Sequence, residues 1–408
     1  MSTRQDLFVG LDIGTAKVAA VVVEPGLDCM TALGLGASAC EGLRKGVVVD
    51  MEATVQAITS AVREAELSAG CEIHTVHASI GGNHVKGFNS HGVVALKGAE
   101  IDAADVERVS EAAQAVPLPQ DQDILHVLTQ EFVVDGQDGI KDPVGMSGVR
   151  LESRVHIVTT SIAPAQNAMK CCQRSGLHVA DLTLGALASA EAVVTPEERE
   201  LGVAVLDIGA GTSGMVAFEA GAVKHTVVLP VGGNHVSSDL SAGLRTPFRD
   251  AEQIKLRYGT ALASAVAGDE ELEVAMVGGR ESRTFPRRVL AEIIGPRFEE
   301  IFTLARLQLE RVGLEQVLAS GVVLTGGGVL VPGVPDLAER VFGLPARIGM
   351  PVGFDGVEEV LSGPSYAAVL GLTRRGVDSS DSLSGIVEGG HVIARMGRRM
   401  VGWFRDFV

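Results

Sequence analysis

The sequence predicts an α/β protein with two duplicated lobes, an α+β subdomain inserted in the first lobe, and an amphipathic helix at the C-terminus. Three observations predict it. First, LFVGLDIGTAKVAAVVVE (7–24) recurs as GVAVLDIGAGTSGMVAFE (202–219). In both, a valine-rich run ends in Asp-Ile-Gly, small residues follow and a second apolar run begins, which is a strand, a glycine turn and a strand. Second, TGGGVLVPG (325–333) follows another apolar strand late in the chain. Third, the last residues, VIARMGRRMVGWFRDFV, repeat apolar positions at helical steps.

The aspartates of the two hairpins, Asp12 and Asp207, lie 195 residues apart. That is too long for a solenoid repeat and suits two facing α/β domains. A chain of 408 residues, 46% hydrophobic, buries a large core and divides into several subdomains. A formal net charge of −17 repels a phosphate backbone, so nucleic acid is not an expected partner. The N-terminus has no basic, apolar leader, and no stretch of eighteen uncharged apolar residues occurs. The five cysteines, at 29, 40, 71, 171 and 172, have no CxxC spacing and read as reduced, packed thiols. Histidines 74, 77, 84 and 91 do not share a strand face and read as structural or surface groups.

Between the hairpins, the pattern predicts a strand over 73–80 and a helix after Asp102, with Asp105 at capping-box spacing and Val106, Val109 and Ala113 as its apolar face. Pro117 and Pro119 end that helix, and strands follow over 124–134 and 154–160. After the second hairpin come helices over 250–258 and 287–312 and a strand over 321–324. The stretch from 373 to 390 is polar and glycine-containing, which predicts a flexible linker.

Phosphates call for backbone N–H donors, a cation, and carboxylates to hold that cation's water shell, and two Asp-x-Gly turns supply these parts. Gly14, Gly209 and Gly211 allow close backbone approach, Thr15 and Thr212 offer hydroxyls, and Asp12 and Asp207 would hold hydrated Mg²⁺. Lys17 is either a further phosphate ligand or a hairpin surface charge. The loop Gly326-Gly327-Gly328 could lie against adenine and ribose. Glu252 and Lys255 share a helix face directed at the same ligand, and the turn at Gly233 adds backbone donors. The expected cofactors are therefore ATP or ADP with Mg²⁺.

The order of two phosphate hairpins and an adenosine loop resembles the actin, sugar-kinase and chaperone-ATPase superfamily, which implies an actin-like (ribonuclease H-like) fold. GIKDPVGMSGVRLE (139–152) with VHIV (155–158), and EERELG (197–202) before the second hairpin, are similar to the bacterial cell-division family FtsA. The resemblance implies core lobe segments at 1–81, 161–199 and 357–375 for the first lobe, and 200–229 and 300–356 for the second. It also implies an inserted subdomain at 82–160, a second-lobe insertion at 230–299, a linker at 376–390 and a membrane-targeting helix at 391–408. By the same resemblance the chain polymerises through contacts that include 82–160, binds the C-terminal peptide of FtsZ through 230–299, and recruits later divisome membrane proteins at the inner-membrane face of the septum. Fast ATPases of the superfamily place Gln or Glu before the second hairpin. Here Gly185-Ala-Leu-Ala188 stands in that neighbourhood, with Glu191 as a weak substitute, so slow turnover is expected, with ATP mainly a conformational ligand.

In the tail, Val392, Ile393, Met396, Met400, Trp403, Phe404 and Phe407 form one face, while Arg395, Arg398, Arg399 and Arg405 oppose a single Asp406. Seventeen helical residues reach only ~25 Å, so the helix is expected to lie in an anionic lipid interface rather than span it. Two other readings remain open. A pilus-assembly scaffold of the PilM type shares the nucleotide fold, but its relatives lack this basic aromatic tail. A small-molecule kinase needs a catalytic base and a sugar pocket, for which the sequence offers no residues.

Overall fold

The computed structural model describes residues 7–26, 29–98, 100–266, 270–278, 282–358 and 363–388. Strands β1 (Phe8–Ile13) and β2 (Lys17–Pro25) form the first hairpin, antiparallel, with Asp12 opposite Ala19. Strand β3 (Met30–Ala39) extends it, and a small hairpin, β4 (Leu43–Arg44) and β5 (Val47–Val48), leads to α1 (Met51–Ala69). Helix α1 starts where the Asp50 side chain accepts from Ala53 N and stops at Gly70, whose φ of 68° is left-handed. It packs so closely on β3 that a Cβ on Gly36 would stand 1.8 Å from Ala61 O. Strand β6 (Thr75–Ile80) then runs parallel to β1.

The insertion follows: β7 (Lys86–Ala95), α2 (Ala103–Gln114), β8 (Gln122–Val134), β9 (Gln137–Ile140) and β10 (Arg150–Ser161). Its four strands form one sheet in the order β7-β10-β8-β9. The predicted capping box is present: Asp102 accepts from Asp105 N at 2.9 Å, and Asp102 N donates to Asp105 Oδ2 at 3.3 Å. Val109 and Ala113 on α2 are fully buried, Val109 with Phe132 and Leu151, Ala113 with Val155 and Ile157.

Helix α3 (Ile162–Arg174) and β11 (His178–Leu184) return the chain to the first lobe, whose sheet has the order β11-β6-β1-β2-β3, with a late strand, β19 (Phe354–Gly356), beside β3. Helices α4 (Gly185–Val193) and α5 (Pro196–Leu201) cross to the second lobe. There β12 (Val203–Ile208), β13 (Ser213–Glu219) and β14 (Ala222–Leu229) repeat the first hairpin and its extension, with Asp207 opposite Gly214. Helices α6 (Gly233–Leu244) and α7 (Phe248–Tyr258), the hairpin β15 (Glu271–Val274) and β16 (Arg283–Pro286), α8 (Arg288–Arg311), β17 (Val322–Thr325), α9 (Val334–Phe342) and β18 (Ala346–Ile348) follow. The second sheet has the order β14-β13-β12-β17-β18. Alternation along β12 sends Val203 and Val205 to one core and Ala204, Leu206 and Ile208 to the other, as a period of two requires.

The chain ends its described course with β19 (Phe354–Gly356) and α10 (Ala367–Glu388). Three expectations are corrected here. Residues 376–388 are helical rather than a flexible linker, because α10 continues through them without a proline. The polar composition misled because the first turns of α10 are anchored by apolar residues, Val369, Leu370 and Leu372, buried against α4 and β1. The return to the first lobe begins before 357, since Phe354–Gly356 already pairs with β3. A boundary at 299/300 divides a single helix, α8, and 230–299 shares one hydrophobic core with the second sheet through Val236, Leu240, Ile294 and Phe298. The expected helix at 391–408, with Val392, Ile393, Met396, Arg398, Arg399, Met400, Trp403, Phe404 and Phe407, lies outside the described residues. None of the helices among the described residues is long and apolar enough to cross a membrane.

Candidate functional site

Parallel pairing of β1 with β6, and of β12 with β17, brings the two hairpin turns to the same edge of their sheets. The turns face each other across a cavity of 340 Å³. Asp12, Gly14, Thr15 and Lys17 line it from the first lobe, and Asp207, Gly209, Gly211 and Thr212 from the second. Gly233, Glu252 and Lys255 form one wall, Gly326, Gly327 and Gly328 another. The fold thus brings every residue expected around a nucleotide, apart from Glu191, into one cleft.

Each aspartate is partly buried and held by a serine. Ser79 Oγ, at the end of β6, donates to Asp12 Oδ1 at 2.6 Å. Ser189 Oγ, on α4, donates to Asp207 Oδ2 at 2.5 Å. Burial raises the pKa of Asp12, against the Ser79 hydrogen bond and the nearby Lys17 charge. Burial pushes Asp207 up to about 6; Ser189 lowers it and the charge of Asp12 raises it further. Two partly buried carboxylates facing one cavity form an electrostatic arrangement that a bound cation would complete.

The glycines leave room that side chains would fill. A Cβ on Gly211 would lie 2.6 Å from Thr15 Oγ1, and one on Gly326, at φ 84°, would lie 2.2 Å from Asp207 Oδ1. The second turn is clamped by backbone bonds from Gly233 N to Gly209 O and from Asn234 N to Ala210 O, at 2.9 and 2.8 Å. Lys17 Nζ stands 3.5 Å from the ring centroid of Tyr366, just before α10.

Two expected residues have other tasks. Lys255 Nζ donates to Gly233 O at 3.2 Å, Ser237 Oγ at 2.9 Å and Glu252 Oε2 at 2.8 Å, so it fastens the α6–α7 corner instead of reaching freely into the cleft. Glu191 does not reach the cavity at all: it pairs with Arg199 at 2.7 Å, and Arg375 stands 3.9 Å away. At about 100° per residue, a side chain two positions after Ser189 points away from the cleft. Glu191→Ala is therefore expected to leave ATP turnover unchanged, at a basal rate below about one per second. A steady-state phosphate-release assay checks both, and a large loss of turnover in the variant would restore Glu191 as a catalytic candidate. Gly185 and Ala186 line the cleft and carry no group able to orient water.

Ser79, Ser189 and Gly46 are site residues that sequence reasoning missed. Gly46, in the β4–β5 turn, lines the cleft and donates its N–H to Thr15 Oγ1 at 3.2 Å, which leaves the threonine's own proton for a ligand. A serine within the small, apolar stretch 185–190 of α4 was the one signal available for Ser189. Ser79 and Gly46 had none. Among the described residues no group of His, Cys, Asp and Glu has metal-site geometry, and His74, His77, His84 and His91 stay apart from the cleft.

Comparison with known proteins follows the same outline. The family model described as cell division protein FtsA matches 204–371, and that of the SHS2 domain inserted in FtsA matches 82–159. Cell division protein FtsA of Pseudomonas aeruginosa is 46% identical over 94% of this chain and 92% of its own length. The chain belongs to the FtsA family. The Escherichia coli FtsA is 41% identical, covering 99% of each chain, and the Bacillus subtilis FtsA is 37% identical over 91% of this chain and 83% of its own. Among solved structures, the PilM–PilN type IV pilus biogenesis complex contains a chain of TM-score 0.65 at 19% identity, covering 91% of this chain and 99% of that one. MreB5 of Spiroplasma citri bound to ADP has a TM-score of 0.58 at 14% identity, covering 95% and 100%. These likenesses establish an actin-like fold with the FtsA insertion. The pilus-scaffold reading is the weaker one, because the PilM likeness is of fold whereas the FtsA likeness extends through the sequence.

Proposed function

We propose that this FtsA-family chain is an ATP-binding, polymer-forming adaptor that ties the FtsZ ring to the inner face of the cytoplasmic membrane at the septum and recruits later divisome membrane proteins. The observation that carries the reading is the pair of partly buried aspartates, Asp12 and Asp207, with raised pKa values, facing each other across a glycine-walled cavity. Mg²⁺ held there through water would neutralise phosphate charge. The turns around Gly14, Thr15, Gly209, Gly211 and Thr212 would hold the phosphates, and Gly326–Gly328 with Glu252 the adenosine. Gly185 and Ala186, which line the cleft beside Asp207, carry no group able to orient water, which supports a ligand that sets conformation more than one that is consumed rapidly.

Membrane attachment is assigned to 391–408 and FtsZ binding to the 230–299 region. The supporting features are the basic, aromatic periodicity of the tail and the exposure of Phe248, Tyr258 and Val277 within 230–299. A single short anchor holds lipid weakly, and a polymer multiplies it, with avidity gains of ~10²–10⁴. The test is co-sedimentation of the full chain with anionic liposomes, with and without Mg-ATP and a labelled FtsZ C-terminal peptide. Deleting 391–408 should abolish pelleting and Trp403→Glu should weaken it, while the peptide still binds both variants in solution. Pelleting that survives the deletion, or no peptide bound by the full chain, would refute the corresponding assignment.

A further inference from the structure

The inserted subdomain joins the first lobe covalently at both ends, yet it also makes buried polar contacts to the second lobe. His156, on β10, is fully buried. Its Nδ1 lies 2.6 Å from Asn89 Oδ1, on β7, and its Nε2 lies 2.8 Å from Thr226 Oγ1, on β14 of the second lobe. A carboxamide oxygen only accepts, so Nδ1 carries the imidazole proton and Nε2 accepts from the threonine. Gln130 Nε2, on β8, donates to Asn89 Oδ1 at 3.3 Å and to Val223 O at 2.8 Å, back on β14. Three strands of the insertion thus each contribute one polar side chain to a circuit that leaves β14 at Thr226 and rejoins it at Val223. The backbone makes room for it: a Cβ on Gly87 would lie 2.2 Å from Thr226 Oγ1. Burial and the neighbouring His225 hold the His156 pKa down at about 4, so the ring is neutral at pH 7 as the circuit requires.

A second buried histidine of the same sheet grips the other lobe. His126, on β8, accepts from Leu184 N at 3.0 Å. Leu184 itself lines the cleft, and so does Val228, two residues from Thr226. The two grips therefore lie on opposite sides of the cleft, each at a strand that contributes to its lining.

We propose that the inserted subdomain is a strap between the lobes, bound to the second by the Thr226–His156–Asn89–Gln130–Val223 circuit and to the first by His126 on Leu184. The cleft then cannot change its opening without rotating or undocking the subdomain, so a ligand that sets the lobe angle also sets how the insertion is presented to partners.

Hydrogen exchange on the full chain, with Thr226→Val as the variant, tests the strap. Valine keeps the shape of threonine and leaves His156 Nε2 buried without a donor. In the absence of nucleotide, exchange should speed by about 10-fold at 155–158 and 225–228 together, with α9 unchanged. Unchanged exchange at both strands would overturn the strap. If the variant does not fold, Gln130→Ala, which removes the bonds to Asn89 and Val223 and leaves the His156–Thr226 bond in place, is expected to act in the same direction and more weakly. A second arm rests on the proposed nucleotide reading of the cleft. Mg-ATP should slow exchange at 12–15 and 207–212 in both proteins, but at 86–95 only in the parent. Equal responses at 86–95 would overturn the coupling. Absence of protection at the two turns would reject the nucleotide reading, with the strap still judged by the first arm.

Discussion

Asp207→Asn should raise the thermal midpoint of the nucleotide-free protein by a few degrees while lowering its affinity for Mg-ATP by ~10²-fold. Asp207 is partly buried at the cleft wall, and its pKa is pushed up to about 6, first by burial and then by the charge of Asp12. A folded-state value above the unfolded one means that ionisation is harder in the folded protein. The resulting destabilisation is fully present above pH about 6 and fades as the pH falls towards the unfolded value near 3.8. At 1.36 kcal/mol per unit, the charge costs on the order of 2–3 kcal/mol at neutral pH. Asparagine keeps an oxygen to accept from Ser189 and removes the charge. The same change takes away the partner of a hydrated cation, so stability and ligand affinity move in opposite directions.

Differential scanning calorimetry and isothermal titration with ATP in magnesium buffer measure the two effects. The midpoints of parent and variant should converge between neutral pH and about pH 4. His126 and His156, held down at about 3 and 4 by burial, take up protons on unfolding in that same window and destabilise both proteins equally as the pH falls, so they cancel in the difference. An unchanged midpoint together with an undiminished binding heat would remove the electrostatic account of the cleft.

Gly371→Ala should prevent the chain from accumulating as a stable folded protein. Helix propensity alone favours alanine by about 1 kcal/mol, so the packing decides the sign. Helix α10 crosses α4 at this glycine, and a Cβ there would lie 1.7 Å from Ala188 O and 2.5 Å from its carbonyl carbon. Those are backbone atoms of a buried helix and cannot rotate aside. Moving α10 outward would also unpack Val369, Leu370 and Leu372, all nearly or fully buried. The expected loss is at least about 3 kcal/mol, read as a lower urea midpoint in a soluble fraction that is itself reduced. The displacement of α4 would also move Ser189 from Asp207, so any protein that does fold should bind ATP more weakly. A urea midpoint equal to the parent's would contradict the helix crossing as described.

Much of the fold was legible because it rests on local chemistry. The two hairpins were readable from alternating valines and Asp-Ile-Gly turns, and α2 from an aspartate pair at capping distance. The glycine positions of the cleft were readable because close backbone approach leaves few other residue types. The extension of α10 was not, since composition between 373 and 390 describes the solvent face of a helix as well as it describes a linker. Nor was the rotation of α4, where a two-residue step separates Ser189 on Asp207 from Glu191 on Arg199.

The order of the phosphate turns, the adenosine loop and the insertion was determined by the sequence alone, because each is a short-range pattern of backbone freedom and apolar period. Which serine meets which aspartate, where Lys255 spends its three donors, and how the insertion reaches the second lobe were decided only by tertiary structure. Those contacts join residues from 18 to 93 positions apart, apart from the Lys255–Glu252 pair on a single helix. Their geometry depends on how parallel crossovers set the register of distant strands and helices, which no local pattern encodes.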